Sequence, residues 1–222
     1  MFLAILMAMI KAVIFDMDGL LADTEPLHFQ AWEETLEKYG IKLTKNVFIK
    51  CVGVGNHKTA LYLKRKYKLK AGTEYLVKEK KGIYHKIIKN AKTRKCAREL
   101  VKKIEKNFII AIASTSKFED VSIVLKRIGL INHFNVIVTG DGLKVKPFPD
   151  IYLKTAKTIG INPKECVAVE DAAVGVIAAK RAGMYCIACP NEFTVKQDFS
   201  RADLVVKSLN KITIRKIMEL EK

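Results

Sequence analysis

An α/β fold is predicted from three observations. Short apolar runs rich in β-branched residues alternate with segments of helical periodicity, the pattern of a doubly wound parallel sheet. Four of those runs give way to residues capable of chemistry, at the edge where open α/β sheets bind ligands. Residues 25–92 carry helical patterns and no strong buried-strand run, so they read as a small α-helical insert between core segments 1–24 and 93–222.

The first run, Ala12-Val13-Ile14-Phe15, is short and apolar enough to be a strand buried on both faces. Asp16 and Asp18 follow it two residues apart, a spacing that points both side chains at one site on extended backbone. Gly19 then allows a sharp turn. Pro26 suits the first turn of a helix, and Phe29, Trp32, Leu36 and Tyr39 recur at helical spacing until Gly40. Helical patterns over 59–67 and 75–89 make up the rest of the insert, with loops near Gly53-Val54-Gly55 and Ala71-Gly72-Thr73.

Alternation then resumes. A helix over 97–106 leads to a strand over 108–113, which ends at Ser114-Thr115-Ser116-Lys117. Val121, Val124, Leu125 and Ile128 mark a helix stopped by Gly129. A strand over 136–138 precedes Lys146-Pro147-Phe148-Pro149-Asp150, and Asp150 opens the next helix. A strand over 166–169 ends in Glu170-Asp171, and a helix over 174–182 stops at Gly183. Runs over 185–189 and 204–206 close the sheet, and a last helix starts near 211.

Composition narrows the class. Half of the 222 residues are hydrophobic, which excludes a disordered chain and allows one sizeable core with a small insert. The five cysteines, including Cys186 and Cys189, have no disulfide-scaffold rhythm, so free thiols and a cytoplasmic location are expected. The formal charge is +17, and residues 64–106 hold seventeen Lys or Arg against four acids. No nucleic-acid motif accompanies that run. Solvated lysine-rich helix faces that attract a small anionic substrate are therefore expected, and nucleic acid is not the expected partner. The apolar residues 1–10 are too short to span a membrane, which takes about 20 residues, and lack a basic leader. A short apolar extension or a later start at Met7 or Met9 accounts for them.

Parallel strands bring their carboxyl ends to one edge, so Asp16 and Asp18, Ser114 and Thr115, Lys146, and Glu170 and Asp171 should converge. Together they fit phosphoryl transfer. Asp16 would attack phosphorus in line, giving an aspartyl phosphate. Asp18 would donate to the departing oxygen and later take a proton from the incoming nucleophile. The Ser114 hydroxyl and nearby backbone N–H groups would hold phosphate oxygens, and Lys146 would offset negative charge. Glu170 and Asp171, with Asp16, would supply hard oxygens for Mg²⁺.

That order of residues resembles the haloacid-dehalogenase superfamily, among its capped phosphatases and phosphomutases, from Val13 to Leu209. The match is tightest over Asp16 to Thr24, Ala113 to Lys117, Lys146 to Asp150 and Glu170 to Gly175. The resemblance implies Asp16 as nucleophile, Asp18 as general acid/base and Mg²⁺ ligand through its carbonyl, and Ser114 as phosphate holder. It implies Lys146 as charge stabiliser, Asp171 as a direct Mg²⁺ ligand, and Glu170 as a ligand through water. The insert is similar to the family's helical cap, which closes over the site and selects the substrate. The second acid, Asp18, separates the chain from the dehalogenases. Thr24 and His28 fit the β-phosphoglucomutase-like branch best, with His28 a substrate-binding candidate alongside Ser114, Thr115 and Lys146. Two departures, Gly53-Val54 where many relatives place an Arg and Phe118 where mutases carry a polar residue, favour ester hydrolysis over mutase chemistry. The expected activity is hydrolysis of a small phosphorylated metabolite (a sugar phosphate, phosphoglycolate or nucleotide), with β-phosphoglucomutase as the alternative.

Overall fold

The computed structural model describes residues 10–221. The expected apolar extension falls mostly on residues 1–9, which lie outside the described residues.

Strand β1 (Ala12–Phe15) is fully buried and central. It pairs in parallel with β4 (Ile109–Ser114) on one side and β6 (Cys166–Glu170) on the other, with Phe15 level with both Ile112 and Val169. β5 (Val136–Thr139), β7 (Tyr185–Ala188) and β8 (Leu204–Val205) complete a six-stranded parallel sheet of order β5-β4-β1-β6-β7-β8. The chain winds outward from β1 to one edge, then crosses back to β6 and winds to the other. Strand order therefore reverses at β1, and a crevice opens at the carboxyl ends of its neighbours.

Side-chain alternation assigns the two faces. Val13, Phe15, Ile110, Ile112, Val167 and Val169 pack on one face with helices α5 (Ala97–Ile104) and α6 (Phe118–Arg127). Ala12, Ile14, Ala111, Ala113 and Ala168 face the other way, toward α7 (Asp150–Ile159) and α8 (Ala173–Arg181). The small residues on that face let α7 and α8 sit close to the sheet.

Four helices lie between the short strands β2 (Ala22–Asp23) and β3 (Lys92–Thr93), which pair antiparallel. They are α1 (Glu25–Glu37), α2 (Lys45–Phe48), α3 (Asn56–Tyr67) and α4 (Thr73–Ile87). Trp32, Leu36, Phe48, Leu63 and Leu76 form their own apolar cluster, joined by Phe193 from beyond β7. The fold is thus the expected α/β core with a helical cap. The two-stranded ribbon and the four-residue α2 were not foreseen, because strands of two residues carry no periodicity to read. No described helix is long and apolar enough to cross a membrane. All five cysteines are free.

Candidate active site

The strand ends assemble the polar residues. Asp16, one residue past β1, donates its N–H to Val169 O at 3.0 Å and so stays locked to β6. Gly19 takes φ +73°, where a side chain is strained. A Cβ there would lie 2.4 Å from Asp171 Oδ2, so glycine is also what lets the turn approach the third carboxylate.

Lys146 reaches in from beyond β5. Its Nζ donates to Asp16 Oδ1 at 2.5 Å, Glu170 Oε1 at 2.6 Å and Ala113 O at 3.3 Å. The Tyr152 hydroxyl of α7 also donates to Glu170 Oε1. Burial opposes the Lys146 charge, yet Asp16 and Glu170 outweigh it and hold the ammonium above its ordinary range. Burial pushes the Asp16 carboxyl up, to about 8; Lys146 opposes that push, and Glu170 and Asp18 add to it. Asp171 is also driven well above its ordinary value, by burial first and then by Asp16 and Glu170.

Asp16, Glu170 and Asp171 each place a carboxylate oxygen within 4.8 Å of the others, all buried. Three hard-oxygen donors face one ammonium here, a negative surplus that a divalent cation such as Mg²⁺ would offset. The donor set fits that ion.

Asp18 lies toward the helical insert. Its Oδ1 accepts from Thr24 Oγ1 at 2.8 Å, and its Oδ2 accepts from Ser116 Oγ at 2.8 Å and Ser114 Oγ at 3.3 Å. Ser114, expected to face phosphate, is fully buried, and its hydroxyl also accepts the Ser116 N–H at 3.1 Å. Thr115 and Ser116 line the cleft instead.

Above these groups is a cleft of about 650 Å³, bounded across from the strand ends by Trp32, Phe48, Val52 and Lys80. His28 also lines it, with Nε2 4.0 Å from Asp18 Oδ1. Of the seven residues expected to converge, all but Ser114 line this cleft, and so does His28, the further substrate-binding candidate.

Sequence reasoning missed Lys80, Glu25 and Ser116. Lys80 is only 1 % exposed, with Nζ 2.6 Å from His28 Nδ1 and over the Tyr84 ring. Glu25 is buried beside it, and burial, with Asp18 adding, raises its carboxyl to about 8. A signal for Lys80 did exist. It stands four residues from Leu76 and four from Tyr84, on the buried stripe of α4.

Comparison with known proteins gives this geometry a context. The haloacid dehalogenase-like hydrolase model matches residues 13–189. A phosphorylated carbohydrates phosphatase of Thermotoga maritima is 35% identical over 179 residues, covering 78% of this chain and 82% of that protein. A beta-phosphoglucomutase of Bacillus subtilis is 30% identical over 220 residues, covering 94% of each. Among solved structures, CbbY from Rhodobacter sphaeroides in complex with phosphate superposes with TM-score 0.81 at 25% identity, covering 95% of this chain and all of that one. The match spans Asp16, Ser114, Lys146 and Glu170, and the chain belongs to the haloacid dehalogenase-like hydrolase family.

Proposed function

We propose that this protein is a Mg²⁺-dependent hydrolase of small phosphate monoesters, with phosphorylated carbohydrates as its substrate class. One observation carries the reading: Lys146 ties Asp16 to Glu170 on the floor of the cleft, with Asp18 and Asp171 on either side. Residues 25–92 are the cap, and the core on either side of them does the chemistry.

Asp16 attacks phosphorus as the ester oxygen departs, forming an aspartyl phosphate. Asp18 gives that oxygen its proton, then takes one from the water that attacks the same phosphorus and restores Asp16. Lys146 fixes the Asp16 carboxylate through Oδ1 and offsets the charge gathering there. Ser114 orients Asp18, and the Thr115–Ser116 loop faces the phosphate. Asp16, the Asp18 carbonyl, Asp171 and, through water, Glu170 would hold Mg²⁺, which supplies positive charge to the transferring group.

The carbohydrate class rests on the Thermotoga maritima relative and on polar groups that line the cleft. Glu25, His28 and Lys80 stand where the alcohol part of the ester would sit and can pair hydroxyls. The B. subtilis mutase relative supports β-phosphoglucomutase as a second reading. Turnover of a panel of sugar phosphates, phosphoglycolate and nucleotides, with and without sugar bisphosphate, separates the two. Phosphate release from a sugar monophosphate, independent of bisphosphate, is the expected result. A strict bisphosphate requirement, with sugar phosphate isomerised and no phosphate released, would establish the mutase instead.

A further inference from the structure

Two residues outside the cleft lining, Arg94 and Asn191, hold the chain beside Asp171, Asn191 by a direct bond to it. Arg94 follows β3, the strand by which the chain returns from the cap helices, and its N–H donates to Leu21 O at 2.9 Å. Its guanidinium makes a three-way clamp. Nη1 donates to Gly19 O and to Cys189 O, both at 2.9 Å, and Nη2 donates to Pro190 O at 2.7 Å. Three segments far apart in sequence are thereby fixed together: the turn after Asp18, the return from the cap, and the chain leaving β7.

The next residue along that last segment is Asn191. Its Nδ2 donates to Asp171 Oδ2 at 2.7 Å and to the same Gly19 carbonyl at 3.2 Å. Its Oδ1 accepts the N–H groups of Phe193 and Thr194 at 2.8 and 3.2 Å, which settles which end of the amide faces Asp171. The amide is therefore locked on both sides, and its donor end has one orientation.

We propose that Arg94 and Asn191 are positioning residues for the metal-holding carboxylate Asp171, and that Arg94 acts through Asn191. The inference rests on the reading of Asp171 as a Mg²⁺ ligand. A carboxylate free to rotate offers its ligand oxygen only part of the time, and a hydrogen bond to its other oxygen removes that freedom. Partners of this kind typically change metal affinity by about ten- to a hundredfold. Arginine is required at 94 because one planar fork reaches three carbonyls at once, which a lysine ammonium on a flexible stem cannot reproduce. The path also ties the base of the cap to the metal site, since Arg94 sits at the end of the ribbon that joins them.

The test is Mg²⁺ binding by titration calorimetry on the whole protein, with Mg²⁺-dependent thermal protection as a second readout. Arg94→Lys, Asn191→Ala, the double variant and Asp171→Asn are compared with the parent. Asn191→Ala and Arg94→Lys are each expected to raise the Mg²⁺ dissociation constant by about tenfold or more. The double variant should match Asn191→Ala, because an effect routed through Asn191 is already lost. Values for Asn191→Ala within about threefold of the parent would overturn the proposal, as would fully additive losses in the double variant. Asn191→Ala alone decides the positioning of Asp171 should Arg94→Lys fail to fold. Parent-like Mg²⁺ binding by Asp171→Asn would instead refute the metal assignment itself, a different result from failure of the clamp.

Discussion

Lys80 on α4 meets His28 on α1 nitrogen to nitrogen, Nζ to Nδ1 at 2.6 Å. The His28 ring lies flat on Tyr84, with centroids 4.1 Å apart. Burial lowers the Lys80 ammonium to about 7, with Glu25 and Asp18 opposing. Below that pH the charged group has no lone pair, so Nδ1 accepts and Nε2 carries the hydrogen. That hydrogen faces Asp18 Oδ1, with Nε2 4.0 Å away. Burial, then the Lys80 charge, holds the imidazole well below its ordinary range, so the ring is a neutral donor. Lys80→Met keeps the buried stem and removes the donor. Steady-state kinetics should show kcat reduced by up to about a hundredfold, the scale of a misplaced group next to the chemistry, with the circular dichroism of the parent. Unchanged kcat would show that His28 needs no partner at Nδ1.

Glu25 sets a stability prediction. Its folded-state carboxyl lies at about 8 against an ordinary 4.5, raised by burial and then by Asp18. The folded protein therefore holds this proton more tightly than the unfolded chain does. Its contribution is full below 4.5 and is lost as pH rises through about 8. Glu25→Gln mimics the neutral acid at every pH. Urea midpoints should show the variant more stable than the parent above about pH 8, by on the order of 2 kcal/mol, with the gain shrinking toward acid. A constant difference across that range would show that Glu25 does not titrate with folding.

These two residues also mark where the sequence stopped being legible. The strand ends could be read because β1, β4 and β6 are uninterrupted apolar runs, each stopping at a carboxylate or hydroxyl. Their convergence needed only the rule that parallel strands end together. Lys80 belongs to a run, Lys78 to Lys81, in which four residues include three lysines. Composition makes all three look solvated, and only their phase on α4 separates the buried one. Ser116 was hidden for another reason: that Ser114 and Ser116, and not Thr115 between them, bond Asp18 depends on a loop conformation that no periodicity encodes. Asn191 and Arg94 are farther still from any motif, because their partners are mostly backbone groups.

Gly175 gives a test with opposing signs. It lies in the first turn of α8, where replacing glycine by alanine ordinarily stabilises a helix by roughly 0.5–1 kcal/mol. Here a Cβ would sit 2.0 Å from the Glu170 carboxyl carbon. Glu170 cannot step aside without leaving Lys146 and Tyr152, its partners at Oε1. Gly175→Ala should therefore destabilise the protein by about 1–3 kcal/mol, the usual cost of overpacking, and lower kcat. Thermal denaturation decides it: a stabilised variant would contradict the close approach.

Asp16→Asn addresses the nucleophile directly. The amide keeps the shape of the carboxylate but cannot attack phosphorus, so turnover should fall by several orders of magnitude, on the order of the losses seen for other covalent nucleophiles. The loss of one buried negative charge beside Lys146 changes stability too, so folding must be checked by circular dichroism. Activity within about tenfold of the parent, in protein free of deamidation, would place the nucleophile elsewhere.

The positive charge of the cap yields the last prediction, and the structure divides that charge into two groups. Lys81 and Lys86 on α4 are exposed and line the cleft, as does Lys117 from the core. Arg65 and Lys66 are exposed in the last turn of α3 and are absent from the residues lining the cleft. Exposed charges act over a Debye length of about 8–10 Å near physiological salt, so they govern the encounter with an anion more than bond breaking. Lys81→Glu with Lys86→Glu should lower kcat/KM several-fold at low salt, leave kcat nearly unchanged and lose its effect as salt rises. Arg65→Glu with Lys66→Glu, the same change in net charge, should do less. Equal losses from the two pairs would mean that overall charge gathers the substrate, not the lysines at the mouth. A loss confined to kcat in the Lys81 and Lys86 pair would mean that those side chains reach the bound substrate and act after encounter.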